Sequence, residues 1–285
     1  MINLTDMQTV RGLAKKHNFS FSKGLGQNFL IDETVCPAIA EYGIPSAECG
    51  VLEVGAGFGV LTQQLALHAG QVVTVELDKR LAPVLEETLA GFDNTEIVWQ
   101  DITKLDIKAF LHEKFGEREV AFCANLPYYI TSPILMQLLE SGAKFTAITV
   151  MVQKEAADRL CAEIGSRAAG AVTAAVGLRG TAELLFDVPR TSFYPAPNVD
   201  SAVIRITPYD TPICSDELLA FTLKTVKAGF GQRRKTAVNA LSAGMGFSKD
   251  AVIQALADCG LAATTRFEQL DRDTVLRLAE TLKNI

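Results

Sequence analysis

Short apolar, β-branched runs recur along the first two thirds of the chain, at residues 51–54, 72–76, 96–99, 120–124, 147–152 and 202–206. Their apolar character is nearly continuous rather than alternating, which is the pattern of strands covered on both faces. Stretches with helical spacing fall between them, at 60–69, at 80–89 and from 134 to 139. Strand alternating with helix predicts a parallel sheet with right-handed crossovers. After Pro208 the pattern changes. Residues 209–215 include Pro212 and have the character of a linker, and residues 216–284 show no strand pattern. Helical candidates there, at 217–228, 234–241, 249–259 and 274–282, are punctuated by Gly229, Gly231, Gly244, Gly246 and Gly260. The expectation is an α/β domain over 1–208 followed by a small all-helical domain over 209–285.

Composition narrows the class. With 285 residues, 48% of them hydrophobic and 21% charged, the chain can bury a core without staples and is not disordered in bulk. No apolar run approaches the roughly 18 residues of a membrane span. Residues 1–12 lack the apolar region and cleavage site of a signal peptide. The six cysteines lie far apart with no C-x-x-C pair, and the three histidines share no local spacing. That pattern predicts reduced thiols in a cytoplasmic protein, with no metal site and no Ser-His-Asp arrangement.

Charge changes the picture twice. The net charge of −6 taken alone argues against a nucleic-acid partner. Its distribution argues the other way. Residues 1–30 carry Arg11, Lys15, Lys16 and Lys23 against Asp6 alone, and residues 224–249 carry six basic residues and no acid. Local field, not net charge, decides contact with phosphates.

The candidate chemistry begins at Val51-Leu-Glu-Val-Gly-Ala-Gly-Phe-Gly59, where an apolar strand enters a glycine-rich turn and then a helix. Glycines let the backbone approach a ligand closely, and a helix N-terminus presents free N–H groups. The glycines at 55, 57 and 59 depart from the dinucleotide spacing, with Val60 where the third glycine would stand. Glu76 ends the second strand, where a carboxylate can accept from a ribose diol. Asp101 follows the third, where it can accept from an adenine amine. One acid at a strand end is an ordinary solvated residue. Functional positions at three successive strand ends, along one edge of a parallel sheet, predict an adenosine-containing ligand.

The fourth strand ends in Ala124-Asn-Leu-Pro-Tyr128. The Asn125 side-chain oxygen and the Leu126 carbonyl are two hydrogen-bond acceptors. Pro127 lacks an N–H and fixes φ, so it holds that carbonyl in place. Tyr128 offers a flat face to a base. The lone pair of an adenine N6 amine is delocalised into its ring. Two acceptors aimed at its protons favour a pyramidal nitrogen that can attack, a case of preorganised electrostatics and orientation.

On these residues the chain resembles a known family. Glu53-Val-Gly-Ala-Gly-Phe-Gly59 is similar to motif I of S-adenosylmethionine-dependent methyltransferases, and Asn125-Leu-Pro-Tyr128 to the N-x-P-Y signature of the amino-methylating subset. Gly24-Leu-Gly-Gln-Asn-Phe-Leu30, Phe193-Tyr-Pro-Ala-Pro-Asn-Val-Asp-Ser-Ala-Val203 and Phe230-Gly-Gln-Arg-Arg-Lys-Thr236 narrow the match to the ribosomal RNA adenine dimethyltransferases. The resemblance runs from about residue 20 to the C-terminus. It implies a Rossmann-like S-adenosylmethionine-dependent methyltransferase sheet with a helical C-terminal RNA-binding domain. The most similar branch dimethylates two adjacent adenines, to N6,N6-dimethyladenine, in the 3′-terminal hairpin loop of 16S rRNA. The implied partner is therefore that rRNA within the small ribosomal subunit or its precursor, and the implied role is in ribosome biogenesis. No membrane or protein partner is implied.

Position by position, the resemblance implies that Asn28 and Leu30 contact the methionine end of the cofactor and that Gly55 packs its backbone against it. Glu76 would hold the ribose hydroxyls and Asp101 the adenine N6. Asn125 would face both cofactor and target amine, Leu126 and Pro127 would complete the acceptor turn, Tyr128 would stack on the target adenine, and Phe193 would cover its other face. Arg233, Arg234 and Lys235 would contact RNA phosphates. One departure is Ala169, in Gly165-Ser-Arg-Ala-Ala-Gly170, where the family often has a tyrosine.

The expected reaction is in-line methyl transfer from a sulfonium, a leaving group good enough to need no metal. The target base must leave its stack, which an RNA hairpin loop permits cheaply. Three other readings compete. Antibiotic-resistance methyltransferases acting on 23S rRNA share the core motifs but tend to be basic and lack the Phe230-Gly-Gln-Arg-Arg-Lys pattern. A DNA adenine methyltransferase would need a larger target-recognition domain. A non-catalytic ribosome-assembly factor would have no use for Glu76, Asp101 and Asn125 together.

Overall fold

The computed structural model describes residues 2–20 and 28–285. Lys23 and the Gly24-Leu-Gly-Gln part of the first narrowing motif lie outside the described residues. The elements follow in chain order as α1 (Met7–Lys16), β1 (Phe29–Leu30), α2 (Val35–Gly43), β2 (Gly50–Val54), α3 (Val60–His68), β3 (Gln71–Glu76), α4 (Ala82–Thr88) and β4 (Thr95–Trp99). Then come α5 (Ile107–Phe115), β5 (Val120–Asn125), α6 (Thr131–Glu140), β6 (Ile148–Gln153), α7 (Lys154–Leu160), α8 (Ala171–Arg179), β7 (Gly180–Val188), β8 (Phe193–Tyr194) and β9 (Ser201–Pro208). The last four helices are α9 (Asp216–Gly231), α10 (Ala237–Met245), α11 (Lys249–Asp258) and α12 (Arg272–Lys283). The chain divides into two compact units, Met1–Ala157 with Glu183–Pro208, and Asp158–Ala182 with Tyr209–Ile285.

The first unit carries a seven-stranded sheet of order β4-β3-β2-β5-β6-β9-β7. The pairs β4–β3, β3–β2, β2–β5 and β5–β6 are parallel, as the alternation of strand and helix predicts. The pair β6–β9 is antiparallel, which corrects the expectation of a wholly parallel sheet. A buried run such as Ala-Val-Ile-Arg-Ile carries no mark of direction, since parallel and antiparallel strands covered on both faces have the same composition.

Two apolar clusters pack on the sheet. In one, Ile39 of α2 and Leu65 of α3 pack with Val51, Val72, Cys123 and Met151. In the other, Val10 and Leu13 of α1 join Phe19, Phe58, Val84 and Leu85. Every residue of β2 is buried, the consequence of a central strand with both faces covered. Gly43 closes α2 against the sheet, and a Cβ there would come within 2.5 Å of the Cys123 Sγ.

The second unit is helical from α9 onward, with α9 packed on α10 and α12. Its helix starts are written in the sequence. Ser215, Thr236, Ser248 and Asp271 each accept a hydrogen bond from a backbone N–H of the first turn of the helix that follows. The Thr236 cap starts α10 at Ala237, which corrects the expected start at Arg234. At Gly229 a Cβ would collide with the Phe267 ring, so α9 and the turn at Phe267 touch backbone to ring. Asp158–Ala182, which the sequence pattern leaves with the α/β domain, clusters with the helical unit, and α8 buries Thr173, Ala174, Ala175, Val176 and Leu178. No helix among the described residues is long and apolar enough to cross a membrane.

Candidate active site

The parallel register of β4, β3, β2 and β5 brings their C-terminal ends to one edge of the sheet. Gly55, Glu76, Asp101 and Asn125 follow or end those strands, and all four line a single cavity. Asn28, Leu30, Leu126, Pro127, Tyr128 and Phe193 line the same cavity. Every first-unit residue expected from the sequence to meet cofactor or base is therefore found in one place.

The turn after β2 has two demands that only glycine meets. Gly55 sits at φ +83°, a conformation other residues rarely adopt. Gly59 sits at φ +91°, and a Cβ there would press on Leu89, Leu85 and Thr88 at 3.2–3.3 Å. Between them Phe58 anchors the turn from below. Its ring lies edge-on to Phe29 at 4.7 Å and to Phe19 at 5.3 Å.

Glu76 is fixed rather than solvated. It is 7% exposed. Its Oε2 accepts from the Gly57 N–H at 3.3 Å and its Oε1 from the Asp78 N–H at 2.8 Å. Burial pushes this carboxyl above its ordinary range, and the backbone donors pull against that. The Leu77 backbone also bears on this carboxylate, which keeps acceptor capacity and lines the cavity. A vicinal diol matches that arrangement of two acceptors.

Behind it lies a second carboxyl without an assigned role. Glu53, on β2, is fully buried. Its Oε2 accepts from Thr62 Oγ1 of α3 at 2.7 Å and from Thr74 Oγ1 of β3 at 2.6 Å. Its Oε1 has no hydrogen-bond partner. One side chain thus ties together the strand before the turn, the helix after it and the next strand. Burial pushes the Glu53 carboxyl up to about 7, the two hydroxyl donors oppose this, and the Glu76 charge adds to it. A carboxyl raised in the folded state favours folding while it stays protonated there. Stability is therefore expected to fall as pH rises from about 4.5 and to level off above about 7. Glu53→Gln is expected to remove that slope, a difference readable in melting temperatures taken across pH 4.5–8.

Asp101 caps the 3-10 turn Ile102–Lys104 after β4. Its Oδ1 accepts from Thr103 Oγ1 at 2.7 Å and from the Thr103 N–H at 3.0 Å. Those bonds hold its carboxyl below the usual carboxylate range. Its Oδ2 has only a distant cation, Lys104 Nζ at 4.0 Å, so an acceptor remains for an amine.

On the opposite side of the cavity, Asn125 ends β5 opposite Met151. Pro127 has φ −56°, and its carbonyl accepts from the Ile130 N–H at 3.1 Å and from Thr131 Oγ1 at 3.3 Å. Tyr128 opens the next turn, and its Oη lies 2.6 Å from Ser201 Oγ. Burial raises the Tyr128 phenol above its ordinary range. Ser201 is fully buried and starts β9, so the antiparallel strand is what positions this ring. The motif that contains Ser201 carries no sign of this role, because its partner is distant along the chain. Phe193, 3% exposed, stands on β8, paired in register with Leu30 of β1. Beyond it, the Arg11 guanidinium lies 5.1 Å over the Tyr194 ring and donates to its hydroxyl at 3.1 Å.

Arg233, Arg234 and Lys235 belong to the second unit, in the exposed turn between α9 and α10. They are not equivalent. The Arg233 Nε donates to Glu268 at 3.0 Å and its Nη2 to the Arg167 carbonyl at 3.2 Å. Ala169, close by in sequence to Arg167, is fully buried.

Comparison with known proteins gives a consistent picture. A family model described as ribosomal RNA adenine dimethylase matches residues 18–284. The chain is 41% identical over 287 aligned positions to Ribosomal RNA small subunit methyltransferase A of Streptococcus gordonii, covering 99% of each chain. It is 42% identical over 275 positions to the protein of the same name from Bacillus pumilus, covering 95% of this chain and 94% of that one. Among solved structures, 23S rRNA methyltransferase ErmE superposes with a TM-score of 0.65 at 29% identity, over 90% of this chain and 100% of that one. A dimethyladenosine transferase from Plasmodium falciparum superposes with a TM-score of 0.67 at 25% identity, over 85% and 93%. The chain belongs to the ribosomal RNA adenine dimethylase family.

Proposed function

We propose that this chain N6,N6-dimethylates two adjacent adenines in the 3′-terminal hairpin loop of 16S rRNA, within the small subunit or its precursor, using S-adenosylmethionine. The observation that carries the reading is the single cavity in which Glu76, Asp101, Asn125 and Tyr128 meet. The small-subunit target is supported by relatives at 41–42% identity that carry a small-subunit name, against 29% for the 23S enzyme.

The donor set fits the cofactor. Two carboxylates with free acceptor positions suit a ribose diol and an adenine amine, and the glycine turn leaves room for a ligand to approach the backbone. Glu76 and Asp101 hold the nucleoside end, Gly55 lies along it, and Asn28 and Leu30 meet the methionine end. S-adenosylmethionine, when bound, supplies an electrophilic methyl group on a sulfonium whose departure leaves a neutral thioether.

The rest is done by this chain's own groups. The Asn125 side-chain oxygen and the Leu126 carbonyl accept hydrogen bonds from the two N6–H groups of the target adenine and aim its lone pair. Pro127 limits the motion of that carbonyl. Tyr128, held through Ser201, and Phe193 present apolar faces to the base and keep water from the amine. After the methyl group has been added, N6 carries an excess proton, which is acidic enough to pass to water without a strong base. Two additions per adenine need two cofactor molecules in succession.

RNA is held by the basic turn of the helical unit. Because Arg233 is already engaged by Glu268, Arg234 and Lys235 are expected to carry most of the phosphate contact. Neutralising all three is expected to weaken RNA binding about equally across sequences and to flatten its salt dependence, by about 0.7–0.9 in log–log slope for each lost contact. Filter binding over a salt series measures this, and an unchanged slope would remove the assignment.

The deciding experiment is transfer of labelled methyl to small subunits lacking the modification, with large subunits and duplex DNA alongside. N6,N6-dimethyladenosine from small subunits alone is the expected product. Label in the large subunit would move the activity to 23S rRNA, and cofactor binding without label anywhere would favour an assembly factor.

A further inference from the structure

Tyr129 follows the acceptor turn and has no part in the chemistry above. It is 58% exposed, although it lines the cavity. Among the large apolar side chains left exposed, Leu77 also lines that cavity, but it stands beside Glu76 at the ribose end. Tyr129 stands at the target end. It is the middle residue of the 3-10 turn Tyr128–Ile130. Successive side chains on such a turn diverge by about 120°. Tyr128 is directed to Ser201, so the Tyr129 ring points elsewhere, out toward solvent at the rim. Its backbone is fixed by Pro127 on one side and by the Ile130 N–H bond to the Pro127 carbonyl on the other.

A rigidly mounted aromatic face left in water beside a base-binding slot matches one ligand well, which is a second base. We propose that Tyr129 is the stacking platform for the nucleotide adjacent to the target adenine, and that it makes the enzyme prefer a target with a purine neighbour. The inference rests on the RNA-adenine reading above. Stacking reads the π face of a base and ignores its amine edge. A neighbouring adenine is therefore accepted whether or not it has already been methylated, and two adjacent adenines can exchange the roles of target and neighbour.

The test uses the full chain and small subunits rebuilt on rRNA with adenine or uracil beside the target, with initial rates of labelled transfer measured over a range of subunit concentrations. The unaltered chain is expected to favour the adenine neighbour by a few-fold in kcat/KM, because a purine offers the larger stacking face. Tyr129→Ala is expected to raise KM for adenine-neighbour subunits by about tenfold and to abolish the preference, with cofactor affinity unchanged. Tyr129→Phe, which keeps the ring, is expected to behave like the unaltered chain. An undiminished preference in Tyr129→Ala, or no preference in the unaltered chain, would overturn the proposal while leaving the proposed function intact. Absence of transfer to either substrate by the unaltered chain would instead overturn the RNA-adenine reading, and this inference with it.

Discussion

Asn125→Ala is expected to slow methyl transfer by about 10²–10³-fold, the usual cost of removing one preorganised electrostatic partner from a reacting group. The substitution removes the side-chain acceptor and leaves the β5 backbone paired with β6 at Met151. The fold is therefore retained, and the loss belongs to the reaction. Single-turnover transfer with saturating cofactor and RNA separates the two. The rate constant is expected to fall by that factor, with a smaller loss of cofactor affinity because Asn125 is also proposed to face the cofactor. A variant that transfers methyl at the full rate would leave the amine with the Leu126 carbonyl as its sole acceptor and would remove Asn125 from the mechanism.

Glu76→Ala is expected to act on the other substrate. The carboxylate is 7% exposed and accepts from the Gly57 and Asp78 N–H groups, so alanine leaves two backbone donors without their acceptor as well as removing the proposed contacts to the ribose. Hydrogen bonds to a charged group contribute about 1.5–3 kcal/mol each. Loss of two contacts to the cofactor then predicts a fall in cofactor affinity of about 10²-fold or more, measurable by calorimetry. Glu76→Gln, which keeps one acceptor oxygen, is expected to recover part of it. Burial raises this carboxyl, so in the unaltered chain cofactor affinity is expected to weaken on acidification at a higher pH than an exposed carboxylate would show.

What could be read ahead of the structure follows from what a sequence encodes locally. The central strands are runs of Val, Ile and Ala, and burial on both faces requires that composition. Gly55, Glu76, Asp101 and Asn125 stand at strand ends, so one assumption about strand direction was enough to bring them together. Strand β7, Gly-Thr-Ala-Glu-Leu-Leu-Phe-Asp-Val, is half exposed at the sheet edge, and its mixed pattern gives no strand signal. The direction of β9 is not encoded locally either. Long-range partners are likewise silent. Nothing near Tyr128 points to Ser201, nothing near Arg233 points to Glu268, and the motif containing Glu53 does not reveal that this carboxyl is sealed between two threonine hydroxyls.

The path of the chain through its two units has a consequence for synthesis and for dissection. The sheet receives β7 and β9 only after the chain has laid down Asp158–Ala182 in the other unit. Until β9 emerges from the ribosome, Tyr128 lacks Ser201, so the cavity at the strand ends cannot be completed early in translation. A fragment cut at Pro208 would contain the whole sheet together with an orphaned α8, whose buried Val176 and Leu178 belong to helices no longer attached. Such a fragment is a poor candidate for an isolated catalytic domain. A circular permutant or a linker bridging Ala157 to Glu183 respects the true seam.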